Sequence, residues 1–234
     1  MAEKVGMQLD RVVLLGRTFE EYIQYFALNP AEWMGRSVLD VASGVSSFAA
    51  EANERGIAVT ACDPIYSRTP EELEPRCATD LDYIYQIVEG LKTYVWKNYR
   101  DRDHMRELRD KAYHLFLKDF GIHKNERYVP GALPQLPFTD KQFELSLVSY
   151  FLFVYQDQFS YEFHRDSILE LMRVTAREAR IYPVVTFEAE PSSYLAQLEN
   201  DPLLDQFSFE IVPTNFEFLR NSNCYLRIQQ RNRV

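Results

Sequence analysis

The stretch VLDVASGVSSFA, Val38–Ala49, passes from an apolar strand through a loop of small residues into a helix. A strand, a tight turn and a helix start, in that order, suit a nucleotide-type ligand. Small residues let the backbone come close to the ligand, and the first helical N–H groups lack internal partners. A dinucleotide fingerprint spaces three glycines as G-x-G-x-x-G. Here Ala42, Gly44 and Ser47 fall at those places, which argues against a pyrophosphate. Asp40, near the end of the strand, points the same way. Its carboxylate would repel a pyrophosphate and suits a ligand carrying an amino group.

Downstream, SFAAEANERG reads as a helix that Gly56 can end, and IAVTACD as a second buried strand closed by Asp63 and Pro64. Together these segments form a βαβ unit. A carboxylate at Asp63 can accept from both hydroxyls of a ribose. It can also be a turn aspartate ahead of a proline. Its company with Asp40 and the small-residue loop favours the ribose.

Upstream, Thr18 and Glu21 form a capping-box pattern ahead of the helix FEEYIQYFAL, which sets Phe19, Tyr22, Ile23 and Phe26 on one face. Residues 67–128 repeat apolar positions at helical spacing (Leu81, Ile84, Tyr85, Val88; Met105, Leu108, Ala112, Leu115) and are expected as a helical insertion. The insertion is either a lid over a ligand site or a decoration away from it. Around it, residues 1–66 and 129–234 are expected to form one α/β core. Phe143–Phe151 is almost continuously apolar, as a strand buried on both faces should be. A helix is expected over Asp166–Ala176, a strand over Ala179–Val185 and a short helix near Ser192–Glu199. FSFEIV and CYLRIQ alternate apolar and polar residues, which predicts an antiparallel hairpin at one edge of a mostly parallel sheet.

The 234 residues carry a net charge of −9, which argues against general nucleic-acid binding. No apolar run is long enough to span a bilayer, and VVLLG near the N-terminus is too short for a secretory core, so a cytoplasmic protein is expected. The 3 cysteines (Cys62, Cys77, Cys224) and 4 histidines show neither disulfide nor metal-ligand spacing.

VLDVASGVSSFAAEANERGIAVTACDP aligns without a gap with the first motif and second strand of the class I S-adenosylmethionine-dependent methyltransferases. ALPQLPFTDKQFELSLVSYFLF is similar to the segment around that family's fourth strand, and LELMRVTAREARIYPVV looks like the helix and fifth strand that follow. The resemblance covers most of the chain outside the insertion. It implies a Rossmann-like, mostly parallel seven-stranded sheet with an antiparallel C-terminal hairpin, and S-adenosylmethionine as cofactor. A small-molecule acceptor is expected, without nucleic-acid or membrane partners.

Residue by residue, Asp40 matches the acid near the cofactor's amino group. Ala42, Gly44 and Ser46 match the glycine positions beneath the methionine and ribose. Asp63 matches the ribose acid, and Pro64 and Ile65 would flank the adenine. Ser149 and Tyr150 lie where the fourth strand ends beside the reacting methyl, and Arg17 is placed to meet the cofactor carboxylate. Two positions depart from the family. The loop carries alanine and serine in place of glycines, and Ala132 stands where many members have an adenine-binding aspartate, leaving the backbone around Leu133 for that contact. The alternative reading is therefore a non-catalytic binding module on the same fold. Candidate bases are Tyr150, Tyr155, His104 and His114. Tyr83, Tyr85, Tyr94 and Tyr99 either face a substrate or pack the helices.

Overall fold

A computed structural model describes Met7, Leu9 and residues 11–231. The ends of the expected core, at residues 1–6, 8, 10 and 232–234, lie outside the described residues. Five strands run parallel: β1 (Ser37–Val41), β2 (Ala58–Cys62), β3 (Tyr128–Val129), β4 (Phe143–Ser149) and β5 (Thr175–Tyr182). The hairpin of β6 (Phe207–Pro213) and β7 (Cys224–Gln230) joins β5 through an antiparallel β7. The sheet order is β3-β2-β1-β4-β5-β7-β6. This is the Rossmann-like, mostly parallel sheet with an antiparallel C-terminal pair that the class I methyltransferase resemblance implies.

Both faces of β1 are buried, and its alternation assigns them. Val38 enters the core under the helices α1 (Phe19–Tyr25) and α3 (Phe48–Glu54), while Leu39 and Val41 enter the opposite core. The capping box forms as expected: the Glu21 amide donates to Thr18 Oγ1 (3.3 Å) and the Thr18 amide to Glu21 Oε2 (2.9 Å). A short helix, α2 (Pro30–Trp33), leads into β1.

The expected insertion forms two long helices, α4 (Pro70–Val88) and α5 (Arg102–Arg127). The second runs directly into β3, so this segment is also the crossover from β2 to the sheet edge. The strand β3 has no counterpart in the sequence reading, because two residues carry no periodicity; they are a strand through pairing with Ala61 and Cys62. Between the helices, residues 89–101 reach the β6–β7 connector, where the Val95 amide donates to Phe218 O (2.7 Å) and the Arg220 amide to Thr93 O (2.7 Å).

Several boundaries differ from expectation. Helix α6 (Tyr161–Val174) starts earlier, because Ser160 Oγ caps it by accepting from the Phe163 amide (3.3 Å). Strand β5 starts at Thr175 and ends at Tyr182, ahead of Pro183, which has no N–H for the ladder. The helix near Ser192 is α7 (Tyr194–Glu199). Among the described residues no helix is long and apolar enough to cross a membrane.

Candidate functional site

In register, Val41 pairs with Cys62 on one side and Val148 on the other, so β1, β2 and β4 end together. The chain leaving β1 turns through left-handed conformations at Ala42 (φ 53°) and Gly44 (φ 54°). The Ala42 amide donates to Cys62 O (2.9 Å), which holds an alanine in a region that costs a non-glycine residue about 1–2 kcal/mol. The Gly44 amide donates to Asp63 Oδ2 (2.9 Å), and the Ile65 amide to Asp63 Oδ1 (3.0 Å). Asp63 thus ties the two strand ends together and keeps a lone pair on each oxygen. The Tyr66 hydroxyl closes the turn from beneath by donating to Gly44 O (2.8 Å). A Cβ at Gly44 would meet no atom within 4 Å.

That open space belongs to a cavity of about 400 Å³ over the strand ends. Ala42 and Gly44 line its floor, and Asp63, Pro64, Ile65 and Leu133 one side. Ser149 and Tyr150 line it at the end of β4, and Arg17 from the N-terminal segment. Tyr150 is itself left-handed (φ 50°), its amide donating to Tyr182 O. Gly131 keeps the Leu133 side close to β2: a Cβ there would lie 2.8 Å from Cys62 Sγ and 2.7 Å from Pro137 Cδ.

Two expected site residues do not line the cavity. Asp40 is fully buried beneath it, and the Tyr22 hydroxyl, 3.1 Å from both carboxyl oxygens, stands between it and the space. Ser46 Oγ donates to Arg17 O (2.9 Å) and accepts from the Phe48 amide (3.1 Å), so this serine anchors the N-terminal segment.

Burial dominates the electrostatics. It pushes the Asp63 carboxyl up to about 6 against two backbone N–H donors and Arg76. It pushes Asp40 well above the usual carboxylate range, against the Tyr22 hydrogen bond and with added repulsion from Asp63. Burial would also raise Glu21, but Arg109 reverses this. A bidentate pair of 2.7 and 2.6 Å holds Glu21 down to about 2. Tyr99 hydrogen-bonds both partners. Arg109 belongs to α5 and also lines the cavity, so this ion pair fastens the crossover to α1 beside the site.

The N-terminal segment over the cavity is pinned to α4. Buried Asp80 accepts from the Leu14 amide (2.8 Å) and from Arg11, and the Tyr155 hydroxyl accepts from the Val13 amide (3.2 Å). Gly16 sits where a Cβ would lie 2.8 Å from Ala112 Cβ and 2.9 Å from Val45 O. Arg17 stacks over the Tyr150 ring at 4.6 Å, and among the described residues no carboxylate pairs with it. Among the described residues, three buried polar atoms of cavity-lining side chains have no hydrogen-bond partner: Arg17 Nε, Ser149 Oγ and Tyr150 OH.

Of the candidate bases, Tyr150 and Tyr155 line the cavity and His104 and His114 do not. Tyr94 lines it too. Tyr83 is exposed, Tyr85 is stacked by Arg102 and Arg106 on the outer face, and Tyr99 is taken up by the ion pair. Both ring nitrogens of buried His164 face carbonyls, of Ser160 (2.8 Å) and Leu152 (3.0 Å). No group of three metal-ligating side chains occurs among the described residues. Tyr22 and Arg109 are the site residues that sequence reasoning missed. Arg109 did carry a signal: it lies between Met105 and Ala112 on the apolar face of its helix, where a cation needs a partner.

The strand order, with its antiparallel C-terminal pair, is the one that the class I methyltransferase resemblance implies. No family model matches the chain. It is 35% identical over 226 residues to the uncharacterized protein MJ0045 of Methanocaldococcus jannaschii, covering 96% of this chain and 99% of that protein. The chain belongs to the same family as that protein. Among solved structures it is similar to a magnesium protoporphyrin IX methyltransferase of Synechocystis PCC 6803 with bound SAH (11% identity, 91% of this chain and 81% of that chain, TM-score 0.48). It is also similar to a putative S-adenosyl-L-methionine-dependent methyltransferase of Methanococcus maripaludis (13% identity, 92% and 84%, TM-score 0.45).

Proposed function

We propose that the chain binds S-adenosylmethionine over the ends of β1, β2 and β4 and transfers its methyl group to a small-molecule acceptor. The observation that carries this reading is the set of unpartnered buried atoms, Arg17 Nε, Ser149 Oγ and Tyr150 OH, gathered above a left-handed Ala42–Gly44 turn. Buried polar atoms without partners are rare, and three at one cavity point to a polar ligand.

In this reading the remaining lone pairs of Asp63 accept the ribose hydroxyls. Pro64, Ile65 and Leu133 flank the adenine, and the open space at Gly44 admits the ligand against the backbone. Arg17 takes the carboxylate. The Tyr22 hydroxyl donates to Asp40 and offers its oxygen to the amino group in place of Asp40 itself. When bound, S-adenosylmethionine supplies a methyl group already activated on a sulfonium. The chain then has to hold and align the reactants and exclude water, which is worth about 7–11 kcal/mol.

Calorimetric titration with S-adenosylmethionine, S-adenosylhomocysteine and NAD tests this. Micromolar binding of the two S-adenosyl compounds alone supports it. Binding of none overturns it and favours the non-catalytic module.

A further inference from the structure

Besides the strand-end residues, Val13, Ile84, Val88, Phe159, Phe187 and Phe218 line the cavity and make the rest of it an apolar compartment. Tyr94, Tyr150 and Tyr155 stand among these liners. Among the described residues Tyr150 OH makes no hydrogen bond of normal geometry, with the Tyr182 side chain near it. Tyr94 OH has only the thioether of Met7 at 3.9 Å, a weak acceptor. Tyr155 OH accepts from the Val13 amide and, among the described residues, has no acceptor for its own proton. The compartment therefore presents O–H donors in aromatic surroundings, next to the guanidinium of Arg17.

Among the described residues, acceptors of protons are missing from it. Asp63, the one carboxylate among the described liners, lies on the strand-end side and takes a backbone N–H on each oxygen. In the proposed function it gives its remaining lone pairs to the ribose, and no described histidine lines the cavity. Burial pushes the Tyr155 hydroxyl up to about 12 and raises those of Tyr94 and Tyr150 as well, so all three stay protonated. An alcohol entering here would find no base among the described residues to deprotonate it. An ammonium would be desolvated beside arginines.

Resting on the methyltransferase reading, we infer that this compartment holds a small apolar carboxylic acid as its carboxylate, bound by the hydroxyls of Tyr94, Tyr150 and Tyr155. A carboxylate needs donors, accepts several hydrogen bonds and is already a nucleophile at neutral pH. A cavity of about 400 Å³ lies near the lower end for small-molecule sites, so the acid is small. In the transfer, a carboxylate oxygen bonds to the methyl carbon while the carbon–sulfur bond of the sulfonium donor breaks. The electron pair of that bond stays on sulfur. A neutral ester and a neutral thioether result, and no proton moves.

The test is calorimetry on protein saturated with S-adenosylhomocysteine, using benzoate, phenylacetate and hexanoate against benzyl alcohol, benzylamine and benzyl thiol. At least one acid is expected to bind, with the alcohol, amine and thiol at least about tenfold weaker. Tyr94→Phe and Tyr155→Phe should each weaken the acid by about three- to tenfold and leave S-adenosylhomocysteine affinity unchanged. An alcohol, amine or thiol that binds as well as the acids overturns the inference. So does silence from all three acids, or acid binding unmoved in both variants. If S-adenosylhomocysteine itself does not bind, the methyltransferase reading fails first and the inference with it.

Discussion

The Tyr22 hydroxyl lies 3.1 Å from both carboxyl oxygens of Asp40, and it stands between that fully buried acid and the cavity. Among the described residues Asp40 has no cation beside it; burial favours its protonated form, and the Tyr22 hydroxyl opposes that shift. Stacking of the Tyr22 ring on Phe48, with centroids 4.3 Å apart, keeps the hydroxyl in place. Tyr22→Phe is expected to leave Asp40 without its donor and to cost about 1–3 kcal/mol of stability in urea unfolding. Asp40→Asn can keep a bond to Tyr22 and should cost less. In the proposed function Tyr22→Phe also weakens S-adenosylhomocysteine in calorimetry, through loss of the oxygen that faces the amino group.

Asp63 makes both stability and binding depend on pH. Burial raises its carboxyl from 3.8 to about 6, so the folded state holds the proton more tightly than the unfolded chain does. The contribution is full below the unfolded value and is lost as pH rises to about 6, a slope worth roughly 3 kcal/mol over that window. Asp63→Asn should flatten the slope in urea unfolding followed from pH 4 to 7. Ribose hydroxyls donate to the ionised form, so S-adenosylhomocysteine affinity is expected to rise with pH through about 6 and to lose that dependence in Asp63→Asn.

Glu21 behaves in the opposite sense. Arg109 holds its carboxyl down to about 2, so the pair stabilises the fold above the ordinary value and is lost as pH falls below it. Arg109→Met removes the cation from a buried carboxylate and should cost about 3–5 kcal/mol. Adding Glu21→Gln to it is expected to restore part of the loss, because no uncompensated charge is then buried. A double-mutant cycle in denaturant checks both.

Two glycines near the site should separate stability from binding. Gly131→Ala drives a Cβ against Pro137 and Cys62 at 2.7 and 2.8 Å and should cost about 1–3 kcal/mol by overpacking. At Gly44 an added Cβ meets nothing within 4 Å, so the main structural cost of Gly44→Val is the left-handed backbone, about 1–2 kcal/mol. Its side chain fills the space beneath the proposed ligand, and S-adenosylhomocysteine binding should be abolished. Thermal unfolding and calorimetry on the same two proteins make the comparison.

The amino-acid sequence by itself determined the elements whose signals are local. The β1–turn–α3–β2 unit, the Thr18–Glu21 capping box and the alternating hairpin strands follow from periodicity and capping within a few residues. The placement of Asp63 at the end of β2 belongs to the same class. Only the tertiary structure decided what depends on a partner far along the chain. Two residues become β3 because β2 lies beside them. Arg109 meets Glu21 across 88 positions once α5 has packed on α3 and α4. Asp40 is screened by Tyr22 from a different element, and the cavity is closed by an N-terminal segment pinned to Asp80. Patterning records which face of an element is buried. It does not record which side chain from another element will face it, because that contact forms only when the layers pack.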